Sequence, residues 1–438
     1  MLTLVLLAGG SSSRFRPLTE KNLYPFLGKT LVRIQLERSE VLAADKTIII
    51  SNDENYEPIK GELASLKLEA EVRKQAGEGQ AGAVTTALEG VAAESEVLIV
   101  NMNDIFEPKL LTEFNSLRPQ LSKNQENMLT GFKTETYFPG GYLVLEGDFI
   151  KKVVEKPGTG NEPSEFVRIV FDYFYKAKSL RVEMEKASSS RDDVYERALS
   201  NMMSSDQKFR MLRYEGNWKT IKFPWHILGA MEYFLNTIEG QQIATDAVIA
   251  ETAKVNGNVI IESGVKIFDN AVINGPVYIG KNCIIGNNAL VRSSMLGDDC
   301  VVGFSSEVAR SYLRSKVWLH MNYLGDSIIE DNVSFGSTAH TANFRLDEGT
   351  IKVNIKGEKI DSGLTKLGAI IGSNVRVGTA VSIMPGIKIG RGSFIGAGLV
   401  ADEDVADGKF VYYKQEKQIK DNNVDISRVS RENLKKKI

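Results

Sequence analysis

The second half of the chain carries an apolar residue, usually β-branched, at every sixth position, and this spacing constrains the fold more than any other feature. The positions are Ile243, Ile249, Val255, Ile261, Ile267, Ile273, Ile279, Ile285 and Val291, then Ile371, Val377, Ile383, Ile389 and Ile395. A glycine often follows the apolar residue. Six-residue repeats are typical of a parallel β-helix, whose coils stack their apolar corners into one narrow core. We therefore predict a hexapeptide β-helix over residues 243–410.

The first half alternates apolar runs with stretches of helical period. The apolar runs are residues 2–8, 46–51 and 96–100, and the helical stretches between them are residues 31–44 and 81–93. Continuous apolar runs are typical of parallel strands covered on both faces, and the alternation indicates βαβ units. We predict an α/β domain over residues 1–230. A helical stretch at 224–238 is predicted to join the two domains, and the linker segment that contains the end of this helix is 231–242. A basic tail is predicted at 411–438.

A loop rich in glycine and serine follows the first apolar run, at the sheet edge where open parallel sheets bind ligands. Gly9 and Gly10 would let backbone N–H groups approach a phosphate closely, and Arg14 could pair with its charge. By themselves these residues also fit an ordinary polar turn. Lys21 and a flexible turn at residues 77–84 add cationic and N–H donors at the same edge, which favours phosphate binding.

Asp104 comes shortly after the third apolar run, at the same predicted edge. A carboxylate at this place is suited to a divalent cation, and Mg2+ bound together with nucleotide phosphates is the simplest case. The sequence therefore offers Asp104 as a metal ligand.

The stretch from Leu7 to Leu31 resembles the signature of the sugar-1-phosphate nucleotidylyltransferases, and the likeness extends to about residue 230. The matching residues are Gly9, Gly10, Arg14, Pro17, Leu18, Thr19, Lys21, Pro25, Gly28 and Lys29, then Gln75, Gly79, Ala81, Gly82 and Ala83 in the base-contacting turn, Asp104, and Gly141, Glu155, Lys156 and Pro157 on the sugar side. The resemblance implies a Rossmann-like domain that transfers a nucleotidyl group from UTP or dTTP to a sugar 1-phosphate, with Mg2+ at Asp104. Arg14 and Lys21 would be catalytic.

Four departures from this pattern bear on activity. Ser12 stands where a third glycine is usual, and we include it among the nucleotide-binding residues; Asn22 replaces a proline. Thr220 occupies the place of the second metal-binding aspartate, and residues 170–177 contain no asparagine of the kind that contacts the sugar. Phosphoryl transfer depends on charge neutralisation. The loss of one metal-binding carboxylate therefore leaves open whether this domain catalyses nucleotidyl transfer.

The region between the two blocks of repeats contains His320 and His340, two of the chain's three histidines. Residues 243–410, and "HMNYLGDSII" in particular, resemble the left-handed β-helix acetyltransferase domain of archaeal-type bifunctional N-acetylglucosamine-1-phosphate uridylyltransferases. The resemblance implies that His320 is the general base that deprotonates the sugar amine during its attack on acetyl-CoA. Tyr323 and Asn343 would position the sugar phosphate and amine, Lys352 and neighbouring lysines would neutralise the phosphate, and the sites would lie between subunits of a homotrimer.

Two departures also occur in this half. Ser334 replaces a sugar-contacting asparagine, and His340 enters the wall of the site. We interpret His340 as structural.

Composition excludes several other classes of protein. The chain has 54 Lys and Arg against 56 Asp and Glu, so no overall charge attracts nucleic acid or an anionic membrane. Two cysteines are too few for a disulfide framework, and no apolar run is long enough to span a bilayer. These features predict a cytoplasmic protein with small-molecule substrates.

Three functions stay open at this stage. The favoured one is a bifunctional enzyme that acetylates glucosamine 1-phosphate and then uridylylates the product. The second is a nucleotidylyltransferase for another hexose 1-phosphate with a structural β-helix. The third is a catalytically silent nucleotide-sugar-binding regulator, which Thr220 and the absent asparagine would suit.

Overall fold

The computed structural model describes residues 1–66, 69–189, 193–414, 416–423 and 435–436. It shows an α/β domain followed by a left-handed parallel β-helix, as the sequence predicts. Much of the predicted basic tail, at residues 415, 424–434 and 437–438, lies outside the described residues. Within the described ranges, no helix has the length and apolar character needed to cross a membrane.

A nine-stranded mixed sheet organises the α/β domain. The strands of this domain are β1 Leu2–Leu7, β2 Pro25–Phe26, β3 Lys29–Thr30, β4 Lys46–Ser51, β5 Glu71–Lys74, β6 Glu96–Asn101, β7 Asp104–Phe106, β8 Asn127–Lys133, β9 Gly141–Glu146, β10 Phe149–Glu155, β11 Phe166–Phe174, β12 Phe209–Tyr214 and β13 Trp218–Thr220. The order in the large sheet is β5-β4-β1-β6-β11-β8-β12-β10-β9. The predicted apolar runs form β1, β4 and β6, which are parallel neighbours, so their carboxyl ends share one edge.

Seven α-helices cover this sheet and lead out of the domain. They are α1 Leu31–Ser39, α2 Tyr56–Leu66, α3 Gly79–Leu88, α4 Lys109–Asn124, α5 Ala177–Lys186, α6 Val194–Ser204 and α7 His226–Leu235. The Thr30 hydroxyl caps α1 by accepting from the backbone N–H of Arg33 at 3.2 Å. The predicted helix at 31–44 is shorter than expected, since a 3-10 turn at Glu40–Leu42 follows α1. The predicted linker helix is present as α7.

Three parallel sheets form the faces of the β-helix. The first contains Gln241–Ile243, Val259–Ile261, Val277–Ile279, Met295–Leu296, Tyr312–Leu313, Ile328–Ile329, Ile370–Ile371 and Lys388–Ile389; the second contains Val248–Ile249, Lys266–Ile267, Ile284–Ile285, Val301–Val302, Trp318–Leu319, Ser334–Phe335, Arg376–Val377, Phe394–Ile395 and Phe410–Val411; the third contains Lys254–Asn256, Val272–Asn274, Leu290–Arg292, Glu307–Ala309, Tyr323–Gly325, His340–Thr341, Ser382–Ile383 and Val400–Ala401. The predicted apolar positions from Ile261 onward are buried in one continuous core. Ile243 is 39% exposed because it lies on the first coil, at the open end of the stack.

Close contact between coils explains the glycines that follow the apolar positions. A Cβ atom on Gly286 would lie 2.8 Å from the backbone nitrogen of Phe304 on the next coil. A Cβ on Gly280 would lie 2.6 Å from the carbonyl carbon of Gly297. Any side chain at these positions would force the coils apart.

The β-helix continues through the region where the sequence repeat is lost. Ile279 stacks on Leu296, Leu296 on Leu313, and Leu313 on Ile329. These stacked pairs are closer in sequence than Ile261 and Ile279, so the coils between the two repeat blocks are shorter and the period of six is lost. The change of period thus marks shortened turns and leaves the core continuous.

The lysine-rich excursion after this region forms a hairpin of two antiparallel strands, Lys352–Ile355 and Glu358–Asp361. Its apolar residues Ile351, Val353 and Ile355 are buried in a core shared with α7 and with the β-helix. The hairpin is therefore packed between the two domains, with its lysines on the outer side.

A buried carboxylate fastens the α/β domain to the β-helix. Glu330 is fully buried, and its Oε1 accepts hydrogen bonds from the backbone N–H and hydroxyl of Thr19, at 2.7 and 2.9 Å, and from the hydroxyl of Tyr24 at 2.6 Å. Arg314 lies 3.5 Å from the other Glu330 oxygen and donates to the Thr19 hydroxyl at 2.7 Å. Arg391 donates to the carbonyl oxygens of Pro17 and Leu18. The segment after the glycine-serine loop is thus held by the β-helix.

We expect Glu330→Ala to destabilise the protein by about 3–5 kcal/mol, because it removes the shared acceptor and leaves Arg314 without its buried partner. Chemical denaturation of the full chain measures this change. Glu358→Ala, on the exposed strand of the hairpin, is the control and should leave the free energy of unfolding unchanged. Equal stability of the two variants would contradict the role given to Glu330.

Candidate functional site

A cavity of about 660 Å3 opens at the carboxyl ends of β1, β4, β5 and β6. Six of the predicted nucleotide-site residues line it: Gly9, Gly10, Arg14, Lys21, Gln75 and Gly79. The parallel arrangement of β1, β4 and β6 brings these separate loops to one place. The cavity therefore brings together most of the residues at which the sequence predicts nucleotide binding.

Ser12 and Gly82, which the sequence also predicts to bind nucleotide, do not line this cavity. The Ser12 hydroxyl donates to Glu20 at 2.8 Å, so it orders the loop from within. Gly82 allows a close approach, since a Cβ there would lie 2.7 Å from the carbonyl carbon of Gly77. Both residues therefore shape the segments around the cavity, and their contact with a nucleotide stays a prediction.

The glycine at the end of β1 is in tight contact with the turn before α3. A Cβ on Gly9 would lie 1.9 Å from the Oε1 atom of Gln75. The amide nitrogen of Gln75 donates to the carbonyl oxygens of Gly77 and Gly79, at 3.1 and 2.8 Å. Gln75 thus fixes the turn from which α3 presents its N-terminal N–H groups to the cavity.

Three cations line the cavity without a carboxylate partner. Arg14, Lys21 and Lys222 all face it, and none forms an ion pair with a carboxylate of the described residues. By contrast, Lys74 at the rim is paired with Asp53 at 2.9 Å. Burial lowers the pKa of Lys21 and of Lys222, so both ammonium groups are held where water solvates them poorly. Unpaired cations of this kind are suited to an anionic ligand such as a triphosphate.

Two further polar atoms in the cavity walls have no partner among the described residues. They are the Oδ1 atom of Asn22 and the Nε2 atom of Gln80, and both are buried. Buried polar atoms normally form hydrogen bonds, so these two indicate that a polar ligand completes the site.

Asp104 lies next to the cavity and faces Thr220 across the pairing of β7 with β13. It is 3% exposed, and burial raises the pKa of its carboxyl group, an effect that the Thr220 hydroxyl and the charge of Lys222 oppose. Mg2+, which the resemblance implies, binds proteins through one or two carboxylates together with phosphates and water. Asp104 and the Thr220 hydroxyl fit that mode with a bound nucleotide; in the described part of the chain, no three acidic, His or Cys side chains could hold a metal alone.

The predicted sugar-side residues lie together. Gly141 pairs with Glu155 between β9 and β10, and Lys156 follows with its ammonium 3.3 Å from Glu155. A Cβ on Gly141 would lie 2.9 Å from Val153, so only glycine leaves room here. These side chains are partly exposed and can reach a ligand at the edge of the sheet.

The segment that lacks the sugar-contacting asparagine carries a buried ionic cluster instead. On β11, Arg168 lies 3.5 Å from Asp172 and 3.4 Å from Glu196 of α6. Burial raises the pKa of Asp172 to about 6. The charges of these three side chains therefore pair with one another inside the fold.

In the β-helix, two of the predicted acetyl-transfer residues meet directly. The Asn343 amide donates to the Tyr323 hydroxyl at 3.3 Å and to Asp326, which is itself paired with Arg310 at 2.6 Å. Gly325 leaves space beside them, because a Cβ there would lie 2.5 Å from the Tyr323 hydroxyl. The four side chains form a polar cluster on one face of the β-helix.

His320 and Lys352 are not hydrogen-bonded to this cluster in the part of the chain that the structure describes. His320 is exposed, and its turn is fixed by Asn322, which accepts from the His320 N–H and donates to the carbonyl oxygens of Gly336 and Ala339 at 2.8 Å. Lys352 is exposed on the hairpin. Within the described residues, His320 and Lys352 are thus separate from the hydrogen bonds that join Tyr323, Asn343, Asp326 and Arg310.

His340 and Ser334, the two departures in this half, occupy neighbouring coils. His340 pairs with Tyr323 in the third sheet and is exposed, while Ser334 pairs with Trp318 in the second. His340 therefore lies on the same face as Tyr323, and its structural interpretation stays a prediction.

A second cavity, of about 710 Å3, lies between the domains. Thr220 and His226 line one side, and Arg310, Asp326 and Lys366 line the other. Burial lowers the pKa of His226 to about 4, so its ring is neutral and accepts from the backbone N–H of Lys222 at 3.1 Å. The cavity thus reaches from Thr220 to two members of the polar cluster of the β-helix, Arg310 and Asp326.

Lys222, Asn22 and Gln80 are the functional candidates that sequence reasoning missed. Lys222 lies two residues after Thr220, inside the segment singled out for its missing aspartate, so the sequence placed it near the site. Nothing in the sequence indicated that its side chain points into the cavity.

Comparison with known proteins agrees with this arrangement. The nucleotidyl transferase family matches residues 3–236, and two hexapeptide-repeat families, "Bacterial transferase hexapeptide (six repeats)" and "Hexapeptide repeat of succinyl-transferase", match residues 258–293 and 368–402. The bifunctional protein GlmU of Methanococcus vannielii is 33% identical over 96% of this chain and 99% of that protein. A bifunctional sugar-1-phosphate nucleotidylyltransferase/acetyltransferase of Sulfurisphaera tokodaii is 33% identical over 92% and 98%, and GlmU of Methanocaldococcus jannaschii is 32% identical over 94% and 98%.

We expect Gly9→Ala to weaken UTP binding roughly tenfold, because the new methyl group displaces Gln75 and breaks its two hydrogen bonds to the turn. Calorimetric titration of the full chain with UTP measures the Kd. Gly61→Ala, in α2, is the control, since a methyl group there meets no atom within 4 Å. An unchanged Kd for Gly9→Ala would remove Gln75 and its turn from the nucleotide site.

Proposed function

The chain belongs to the family of bifunctional sugar-1-phosphate nucleotidylyltransferases/acetyltransferases, and we propose that it acetylates glucosamine 1-phosphate and then uridylylates the product to UDP-N-acetylglucosamine. It is an enzyme with a nucleotidyltransferase domain and a hexapeptide-repeat acetyltransferase domain. The observation that carries the proposal is the cavity lined by the unpaired cations Arg14, Lys21 and Lys222 at the ends of parallel strands. We assign nucleotidyl transfer to residues 1–230 and acetyl transfer to residues 243–410.

In nucleotidyl transfer, the backbone N–H groups of Gly9 and Gly10 and the cations Arg14 and Lys21 bind the phosphates of UTP. Lys156 binds the phosphate of the sugar 1-phosphate, and the Glu155 carboxylate accepts hydrogen bonds from the sugar hydroxyls. An oxygen of that phosphate attacks the α-phosphorus; a new P–O bond forms, the bond to the β-phosphate oxygen breaks, and pyrophosphate leaves with the electron pair. Asp104, together with the nucleotide phosphates, would hold Mg2+, which would supply further charge neutralisation.

In acetyl transfer, His320 accepts a proton from the amine of glucosamine 1-phosphate as the nitrogen attacks the thioester carbonyl of acetyl-CoA. The C–N bond forms, the C–S bond breaks, and coenzyme A leaves as a thiol after it takes up a proton. Tyr323 and Asn343 orient the amino sugar, and Lys352 neutralises its phosphate. Histidine is the side chain most often used as a general base in such proton transfers.

A homotrimer would bring residues of a second chain to His320 and Lys352, which are not hydrogen-bonded to the polar cluster among the described residues of one chain. Apolar side chains are exposed around His320, namely Phe304 (57%), Trp318 (54%) and Met321 (44%). Exposed apolar residues grouped near a catalytic candidate are typical of a protein interface. A cytoplasmic location would supply UTP and acetyl-CoA, the cosubstrates of the two reactions.

The full chain is expected to release pyrophosphate from UTP, Mg2+ and N-acetylglucosamine 1-phosphate, and to release free thiol from acetyl-CoA and glucosamine 1-phosphate. Both signals together support the proposal. Thiol without pyrophosphate would make the α/β domain a nucleotide-sugar-binding module, and pyrophosphate without thiol would make the β-helix a scaffold. Replacing the sugar with other hexose 1-phosphates tests whether a different substrate is preferred.

His320→Ala is expected to lower thiol release by at least about 100-fold, because general-base catalysis typically contributes that much. Pyrophosphate release should be unchanged, because His320 does not line the nucleotide cavity. His340→Ala is the matched control, since this histidine is equally exposed on a neighbouring coil. Equal thiol release by the His320 variant and the parent would exclude His320 as the base.

A further inference from the structure

Lys222 lies in the nucleotide cavity at the position where the metal-binding segment has changed. It follows Thr220, which replaces the second metal aspartate, by two residues. Its backbone N–H is held by His226, and its ammonium lies 4.7 Å from the centre of the Phe138 ring. The first contact holds the backbone of Lys222 and the second holds its ammonium group, so together they fix the direction of the side chain.

The ammonium of Lys222 lies between the groups assigned to the two substrates. On the nucleotide side, Lys222 lines the cavity together with Arg14 and Lys21. On the sugar side, its ammonium lies over the ring of Phe138, which packs against Gly140 beside the sugar-side Gly141. In an in-line transfer, the attacking phosphate and the α-phosphate of the nucleotide meet between these two sides. Lys222 is therefore placed at the junction of the two substrates.

Lys222 is partly buried and has no ion-pair partner in the described residues. A poorly solvated cation without a counter-charge is unfavourable, and an anionic ligand removes that cost. The negative charge of Asp104 acts on Lys222 and also on Lys21, so one buried carboxylate is shared by two lysines. The cavity thus holds an excess of positive charge before any substrate binds.

Thr220 and Lys222 together set the charge beside Asp104. A neutral hydroxyl stands where the resemblance implies a metal-binding carboxylate, and Lys222 follows it by two residues and lines the cavity. Fixed positive charge in a water-poor site stabilises phosphoryl transfer as a metal ion does, without needing ligands of its own. A cation at this place is therefore suited to supply part of the charge neutralisation that the absent carboxylate would have supplied through a metal ion.

We propose that Lys222 is a catalytic residue of nucleotidyl transfer that binds the phosphate of the sugar 1-phosphate and holds its attacking oxygen against the α-phosphorus. The inference rests on the proposed nucleotidyl transfer at this cavity. The attacking phosphate is already deprotonated at neutral pH, so Lys222 keeps its proton and acts by charge and hydrogen bonding throughout. Its contact with the sugar phosphate does not require a metal.

Calorimetric titration of N-acetylglucosamine 1-phosphate into the full chain, in the presence of EDTA, tests this contact without turnover. Lys222→Met should weaken binding roughly 10- to 100-fold, the loss expected for one charge-assisted hydrogen bond. Lys222→Arg should retain most of the affinity. Lys219→Met is the matched control, because Lys219 is exposed on β13 and lies outside the nucleotide cavity. Equal Kd values for the Lys222→Met variant and the parent would overturn the inference.

Pyrophosphate release separates this inference from the proposed function. If the parent turns over and Lys222→Met lowers kcat/KM for the sugar phosphate with KM for UTP unchanged, the inference is supported; if both are unchanged, it is wrong and the proposed function stands. If the parent releases no pyrophosphate, the proposed nucleotidyl transfer fails, and the titration alone decides the role of Lys222. If Lys222→Met also lowers thiol release, Lys222→Arg decides: recovered binding supports the contact, and lost binding overturns it.

Discussion

The hydrogen bonds that Glu330 accepts from Thr19 and Tyr24 are the interaction on which the rest of the structure depends. A fully buried carboxylate is costly unless it is paired, and Glu330 finds its donors in the α/β domain and its counter-charge, Arg314, in the β-helix. The two domains therefore satisfy one charge jointly. The segment that they hold lies between Arg14 and Lys21, so the packing of the β-helix fixes the position of cations in a cavity that belongs to the other domain.

The sequence was most informative where one physical rule acts alone. Continuous burial of β1, β4 and β6 produces uninterrupted apolar runs, and stacking of identical coils produces the six-residue spacing, so both could be predicted from the pattern. The shortened coils between Ile279 and Ile329 were not predicted, because a turn can lose a residue without any change in the type of side chain that the core requires. In the sequence, the hairpin was noticed only for its lysines. Its packing is determined by the buried residues Val353 and Ile355.

The candidate site was predictable in its backbone and less so in its side chains. Gly9 and Gln75 meet because the ends of parallel strands converge, which the sequence pattern implies. Ser12 could equally have faced a ligand or Glu20, and only the structure decides between them. Lys222 was not among the predicted site residues, because a lysine after a short strand usually lies in solvent. The direction of its side chain depends on His226 and Phe138, and no spacing rule identifies these two residues as its neighbours in space.

The contacts of Thr19 with Glu330 and of Leu18 with Arg391 join residues that are more than 300 positions apart. During synthesis the α/β domain leaves the ribosome before the two β-helix coils that hold its loop, because Glu330 and Arg391 follow Thr19 and Leu18 by 311 and 373 positions. Contacts at such separation form late, because the entropy of closing the intervening chain must be lost first. The N-terminal domain can thus build its sheet early, while its nucleotide loop reaches its final conformation only after both of these coils have been translated.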